Sequence, residues 1–459
     1  MQRRKNIVLN FLASLQAIRR SVRSSLVASA LFATLEHTHA QTAVESELRQ
    51  QDWAVHVQGT EIAQGQPGFD SPYQGAYSLP PEDNFRQTSS FDLYFGARLW
   101  PSGELYVNGE YYQGFGLGTT HGIAAFPSAE AYKVGQKIGD VFFPHIIIRE
   151  TIGLGGEQED LAPDQLQLGE KQDVSRLTFT IGRMAVTDQF DGNIYAHDQR
   201  HQFINWVLVD SGAFDYAADS LGYIEGATFE LNQRSWALRY GVFDVPRESN
   251  GFAKDQHFAK AWQQVVEFQL RVSVNDHPGN IRLLGWVEHA HMGSYSETLA
   301  QPDLMEDITL TRRYRFQGGV SLSADQELTK EVGVFLRASW RDGKSEVWQF
   351  TDIDRNIAAG VQIKGSSWKR LNDTIGIGEV LSGLSQSHRE YLAAGGLSIL
   401  IGDGKLPHYG LENVLEAYYD AEVVKSVHLM FDYQFVANPG YNQDRGPVHI
   451  FSARFHFQL

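Results

Sequence analysis

The chain has 459 residues, no cysteine, 39 Lys+Arg against 55 Asp+Glu and a formal net charge of −16. Disulfides and thiolate chemistry are excluded, and so acidic a surface argues against nucleic acid as partner, since phosphate binding needs clustered cations. Mean hydropathy is negative, which a barrel tolerates because only every second residue of each strand meets lipid.

Arg3, Arg4, Lys5, Arg19, Arg20 and Arg23 precede an apolar run at 26–35 and the small-x-small tripeptide Thr38-His39-Ala40. Residues 1–40 read as a secretory signal peptide, the run being too short to span a bilayer as a helix. Its removal leaves 33 Lys+Arg against 54 Asp+Glu, a formal charge of −21.

From Trp53 onward, segments of alternating character are separated by Gly, Pro, Asn and Asp clusters, the signature of strands and turns. The first is 53–64. In the second, Phe91, Leu93, Phe95, Ala97 and Leu99 share one face while Asp92, Tyr94, Gly96 and Arg98 share the other; Pro101-Ser102-Gly103 then turns into a third strand ending at Gln113. Further candidates are 145–154, 175–184, 223–232, 235–245, 264–273, 280–290, 313–323, 331–341, 357–364, 374–381, 391–401, 412–421, 427–437 and 448–459. That makes seventeen where a single-chain barrel needs an even number, and 391–401, with its Ala393-Ala394-Gly395-Gly396 core, is the weakest strand material. Sixteen strands are expected. The last, Phe451 to Leu459, alternates strictly to the end of the chain. In an exported protein this suggests an all-β transmembrane antiparallel barrel of the bacterial outer membrane, with 41–459 as its single domain.

Three connections, 65–90, 114–144 and 187–222, exceed tight turns, and such loops are usually functional or disordered. The third contains 198–209, apolar at spacings of three and four, which predicts a short helix and a loop that folds inward to constrict the lumen.

Strand parity names the lumen wall. Arg98, Glu110, Arg176, Arg239, Glu267, Arg271, Arg282, Glu288, Arg315 and Arg337 fall on the polar parity with Tyr94, Tyr106, Tyr112 and Trp286, and Arg149 joins them despite the adjacent Glu150. A charge turned to lipid at mid-depth costs about 2–4 kcal/mol, which favours the lumen. Charged groups that bond hydroxyls, beside aromatic faces that cover sugar rings, suit a neutral polyhydroxylated solute. The plainer alternative is that these charges pair across strands. His289-Ala-His291 lacks a third metal ligand, Glu157 to Asp160 with Asp164 reads as a solvated acidic loop rather than a cation site at the lipopolysaccharide surface, and Gly114 to Gly118 reads as turn flexibility. No spacing singles out a hydrolytic triad.

Long motifs then carry a family resemblance: Asp173-Val-Ser-Arg-Leu-Thr-Phe-Thr-Ile-Gly-Arg183, Thr187-Asp188, Tyr195-Ala-His-Asp198, Asn205-Trp206 and Gly212-Ala-Phe-Asp-Tyr-Ala-Ala-Asp219. Ser71-Pro-Tyr73, Tyr106-Val-Asn-Gly-Glu110, Gly402-Asp-Gly-Lys-Leu-Pro-His-Tyr-Gly410, Ala437-Asn-Pro-Gly-Tyr-Asn442 and Asp444-Arg-Gly-Pro-Val448 agree. Over nearly the whole mature chain the sequence resembles the carbohydrate-selective porin family typified by OprB. The resemblance implies a sixteen-stranded barrel that passes glucose-like monosaccharides into the periplasm by facilitated diffusion, without enzyme chemistry, cofactor or metal. It also implies a constriction of arginine, acidic and aromatic side chains, for which Arg98, Glu110 and Trp206 are the candidates. The full set of expected pore-lining residues is Arg98, Glu110, Arg149, Arg176, Trp206, Arg239, Arg271, Trp286 and Arg337. Expected partners are a small sugar, outer-membrane lipid and lipopolysaccharide, with room for a homo-oligomer. Leu459 departs from the aromatic residue that commonly ends barrel chains. A non-selective general porin and a barrel hydrolase or acyltransferase are the alternatives.

Overall fold

The computed structural model describes residues 50–131, 140–301 and 307–459, so the expected signal peptide lies outside the described residues. In chain order the strands are β1 (Trp53–Gln66), β2 (Asn84–Trp100), β3 (Gly103–Gln113), β4 (Asp140–Gly153), β5 (Gln158–Leu161), β6 (Glu170–Asp173), β7 (Arg176–Met184), β8 (Ile224–Asn232) and β9 (Trp236–Phe243). There follow β10 (Trp262–Val274), β11 (His277–Met292), β12 (Arg313–Glu327), β13 (Val332–Arg341), β14 (Arg355–Lys364), β15 (Thr374–Gly383), β16 (Glu412–Val424), β17 (Val427–Ala437) and β18 (Val448–Gln458). All but β5 and β6 form one closed antiparallel barrel of sixteen strands, sealed where β1 pairs with β18; β5 and β6 make a separate hairpin.

Closure follows from a period of two. In β2, Thr88, Ser90, Asp92 and Tyr94 are buried inward while Phe91, Leu93 and Phe95 stand exposed outward, and Phe431 and Phe451 do the same on β17 and β18. The outside is therefore an apolar girdle and the inside polar, and closure leaves no unpaired edge. One end carries tight turns. At Asn275 and Asp276 both φ values are positive (52° and 64°), a turn whose twist matches a hairpin. Long loops join the strands at the other end.

The segment 391–401 is not a strand: a helix, Gln386–Ala393, occupies its start, consistent with its poor β propensity. Two expected loops are shorter than the sequence suggests, because β1 and β2 run to Gln66 and from Asn84, and β4 begins at Asp140. Pro144 lies inside β4, where Phe143 and Pro144 together stand opposite Gly109; that bulge is the position a strand proline tolerates.

The interior is not an open pipe. Phe203, Val207, Leu208, Ala213 and Phe214 of the loop 185–223 are fully buried inside the barrel.

Candidate functional site: the constriction

A loop can sit inside a barrel only if its backbone polar groups find partners. The wall provides them. Glu267 accepts from the Asp191 N–H at 2.7 Å, Glu416 accepts from the Ile204 and Asn205 N–H groups at 2.7 and 2.9 Å, and Gln263 and Ser339 accept from Ala217 and Ala213. Arg337, without exposed side chain, donates to the Ala196, Leu208 and Asp191 carbonyls. Glycine in the wall lets the loop approach: a Cβ on Gly333 would lie 2.0 Å from the Tyr195 ring, and one on Gly378 would lie 2.8 Å from Leu208. The predicted helix within 198–209 shrinks to one turn, Trp206–Val209, capped by the Asn205 side chain.

The loop therefore fills one side of the lumen and leaves a cavity of about 410 Å³ on the other, against β18, β1, β2, β3 and β4. Arg200 crosses this cavity from the loop. It donates to Asp92 at 2.7 Å, to Glu110 at 3.1 Å and to Glu130 at 2.8 Å, and Tyr223 reaches the second Glu110 oxygen at 3.5 Å. Burial alone would lower the Arg200 pKa, but the surrounding carboxylates more than reverse this and hold it a permanent cation. His201 and Asp198 form an ion pair beside it at 2.7 Å, and Asp198 stays ionised because His201 outweighs the cost of burial.

Aromatic rings line the same cavity. Phe126, from the loop after β3, stacks on Trp206 at 5.4 Å and an interplanar angle of 4°; Phe350, from the loop after β13, meets Trp206 edge-on at 4.8 Å, and Tyr216 closes the group at 5.0 Å from Phe350. Three loops thus converge. Asp215 ties two of them by accepting from the Trp348, Gln349 and Phe350 N–H groups. The Trp206 Nε1–H has no hydrogen-bond partner among the described residues.

Of the residues expected to line the pore, Glu110 and Trp206 line this cavity. The expectation that Arg98 stands with Glu110 is corrected. Both face inward, but β2–β3 register pairs Arg98 with Glu104 and Asp92 with Glu110, six residues and about 20 Å along the strand. Arg98 instead pairs with Glu104 and Glu170 at 3.1 and 2.7 Å. Arg149 lies over the Tyr106 ring and donates to the Leu166 carbonyl, and Arg176 pairs with Glu159. Arg239 bridges Glu230 and Glu267, Arg271 caps Asn232 and the Gln233 carbonyl, and Trp286 is buried against Phe214. None of these six is in the cavity wall, and neither is Arg337. Parity finds which face a strand residue takes but not its height, and it is blind to loops, so it could not name Arg200. The amphipathic run 198–209 that holds Arg200 was its only signal.

The acidic stretch Glu157 to Asp160 lies at the tight-turn end, where Glu157 pairs with Arg234 and Asp160 with Lys171, not at a lipopolysaccharide-facing surface. His289 faces outward on the aromatic rim against Phe316, while Glu288 points in to Gln317 and Gln349. Among the described residues no group of three or more His, Asp or Glu side chains is placed to hold a metal.

A closed sixteen-stranded barrel, girdled by apolar side chains and narrowed from within by its own loops, is an outer-membrane channel. Residues 77–459 match the model of the carbohydrate-selective porin, OprB family, and the chain belongs to that family. Among solved structures it is similar to Pseudomonas putida OprB, at a TM-score of 0.67 and 14% identity over 89% of this chain and 94% of that one. The outer membrane channel DcaP of Acinetobacter baumannii is similar at 0.47 and 9% identity (89% and 97% covered). A loop-deletion mutant of OmpT from Vibrio cholerae is similar at 0.46 and 10% (89% and 100% covered). No curated protein matches by sequence. The protein is thus a porin of the bacterial outer membrane, and family and fold point to a channel. Its short turns are periplasmic and its long loops extracellular. No described helix is long and apolar enough to cross a membrane.

Proposed function

We propose that glucose-like monosaccharides diffuse through the aperture between the Arg200 cluster and the Trp206 wall, and that these two surfaces together make the selectivity filter. The observation that carries this reading is that both line one cavity: the charged Arg200, Glu110 and Glu130 and the rings of Trp206, Phe126 and Tyr216. A pyranose has hydroxyls at its rim and C–H faces, so one side of the aperture takes the rim and the other a face. The unpartnered Trp206 Nε1–H adds a donor whose burial is costly until a hydroxyl meets it. Binding here must be weak, since a solute held tightly throttles flux. A general porin would need no aromatic wall. Lipopolysaccharide and outer-membrane lipid surround the apolar girdle in this reading, and no step of it is catalytic.

Single-channel conductance of the refolded protein in a planar bilayer, titrated with glucose, other sugars and a non-sugar polyol of similar size, tests it. Block by sugars and not by the polyol is the expected result. Equal block by all would leave a non-selective pore, and no conductance at all would reopen the enzyme reading.

A further inference from the structure

The periplasmic end of the cavity is not an open mouth. The segment 154–175 turns back under the barrel, and its tip (Asp164, Gln165 and Leu166) lines the same cavity as Arg200 and Trp206, beside Gln58, Tyr94 and Gln458. It is docked rather than hanging. Leu168 is 1% exposed and its N–H donates to the Tyr106 hydroxyl at 3.0 Å, and Gln51 bonds Gly169 through both its backbone and its side chain. Three wall arginines clamp it: Arg98 holds Glu170, Arg149 holds the Leu166 carbonyl and Arg176 holds Glu159. These are arginines that parity alone would assign to the solute.

The tip is joined to the constriction by an unbroken chain of hydrogen bonds. Gln165 Nε2 donates to Gln58 Oε1 at 2.5 Å, Gln58 Nε2 donates to Asp92 Oδ2 at 3.0 Å and to Tyr94 at 2.8 Å, and Asp92 Oδ2 accepts from Arg200 at 2.7 Å. We propose that this hairpin is a second, periplasmic binding station for uncharged polyhydroxylated solute, reached along the cavity from Arg200 past Gln58 to Gln165. The inference rests on the reading of the Arg200–Trp206 aperture as the sugar path. Amides carry donor and acceptor on one group, as hydroxyls do, and can exchange a bond between themselves for one to a hydroxyl. Among the described residues no arginine or lysine lines the cavity beside Asp164, Gln165 and Leu166, in contrast to the Arg200 cluster, so the station favours neutral hydroxyls over anions. Two weak stations in series let a solute leave the first without leaving the pore, the arrangement that sustains flux with selectivity.

Gly153 and Arg176 are direct register partners of β4 and β7, so residues 154–175 can be replaced by a two-residue Asn-Gly turn. Q165L removes the amide and keeps the hairpin, which guards against loss of folding in the excised protein. Both are measured in planar bilayers with glucose added from the periplasmic side, alongside the wild type and W206A. Excision is expected to raise the conductance, and both changes to raise the half-blocking glucose concentration by about threefold, the worth of one hydrogen bond of ordinary net strength. Wild-type conductance and block in both hairpin variants, with W206A still weakening the block, would overturn this station and leave the aperture standing. Absence of sugar block in the wild type would overturn both.

Discussion

The two flanks of the loop 185–223 differ as a weld differs from a passage. On the flank facing β10 to β17, Phe203, Leu208 and Phe214 are fully buried, and wall groups such as Glu416, Ser339 and Arg337 bond loop backbone. On the flank facing β18 and β1 to β4, the same kinds of residue, Gln58, Glu110, Tyr94 and His145, line the cavity. Inward polarity in a barrel therefore has two causes: a backbone that must be satisfied, and a solute that must pass. Only the second marks a pore.

The largest effect is expected from breaking the weld. Arg337→Met leaves the Ala196 and Leu208 carbonyls without this donor and the Asp191 carboxylate without its cation in a buried site, at a cost of about 3–5 kcal/mol. Unfolding in detergent should begin at lower denaturant, and the conductance should rise as the loop leaves the wall. Arg200→Ala acts on the passage and not on the weld. Three carboxylates then face the cavity without their cation. Reversal potentials in a salt gradient should shift toward cations by about tenfold in permeability ratio, the equivalent of only part of the Coulomb energy of close ion pairs.

Trp206→Ala is next. Losing one stacking face of about 1 kcal/mol should raise the half-blocking glucose concentration about fivefold and leave ion selectivity unchanged, as current-noise titration would show.

A pH effect sharpens the contrast at the hinge between the flanks. Burial alone would lower the His197 pKa, but Asp210 at 3.1 Å more than reverses this and pushes the group up to about 9. Asp191 adds to the raise and Arg337 opposes it. A folded pKa above the unfolded one means the stabilisation is complete below pH about 6.5 and lost as pH rises through about 9. Conductance noise from loop motion should grow over that window in the wild type and stay flat in His197→Gln. The smallest effect is expected at Arg271, which caps a periplasmic turn away from the cavity. Arg271→Ala should leave conductance and sugar block unchanged and stability within about 1 kcal/mol.

Much of this architecture is legible in the sequence. Strand period, turn chemistry and the even-number rule give sixteen strands, and the weakness of Ala393 to Gly396 as strand material correctly removes the seventeenth. The inward fold of the third long loop is legible as an amphipathic run in an overlong connection. What alternation cannot show is height and partnership. Arg98 and Glu110 share a face yet stand far apart, and Arg337 points into the lumen only to hold a loop. Arg200 lies on no strand at all, so its three carboxylate partners, drawn from β2, β3 and the loop after β3, are set by tertiary packing.

Because the chain has no cysteine, one thiol can be placed at will. The most direct test of where the passage runs is modification of Ala129→Cys, on the cavity side, and Ser321→Cys, on the welded side, by a charged water-soluble methanethiosulfonate during single-channel recording. A stepwise fall in conductance at Ala129→Cys with no response at Ser321→Cys is the predicted result. Response at Ser321→Cys and silence at Ala129→Cys would contradict the assignment of the two flanks.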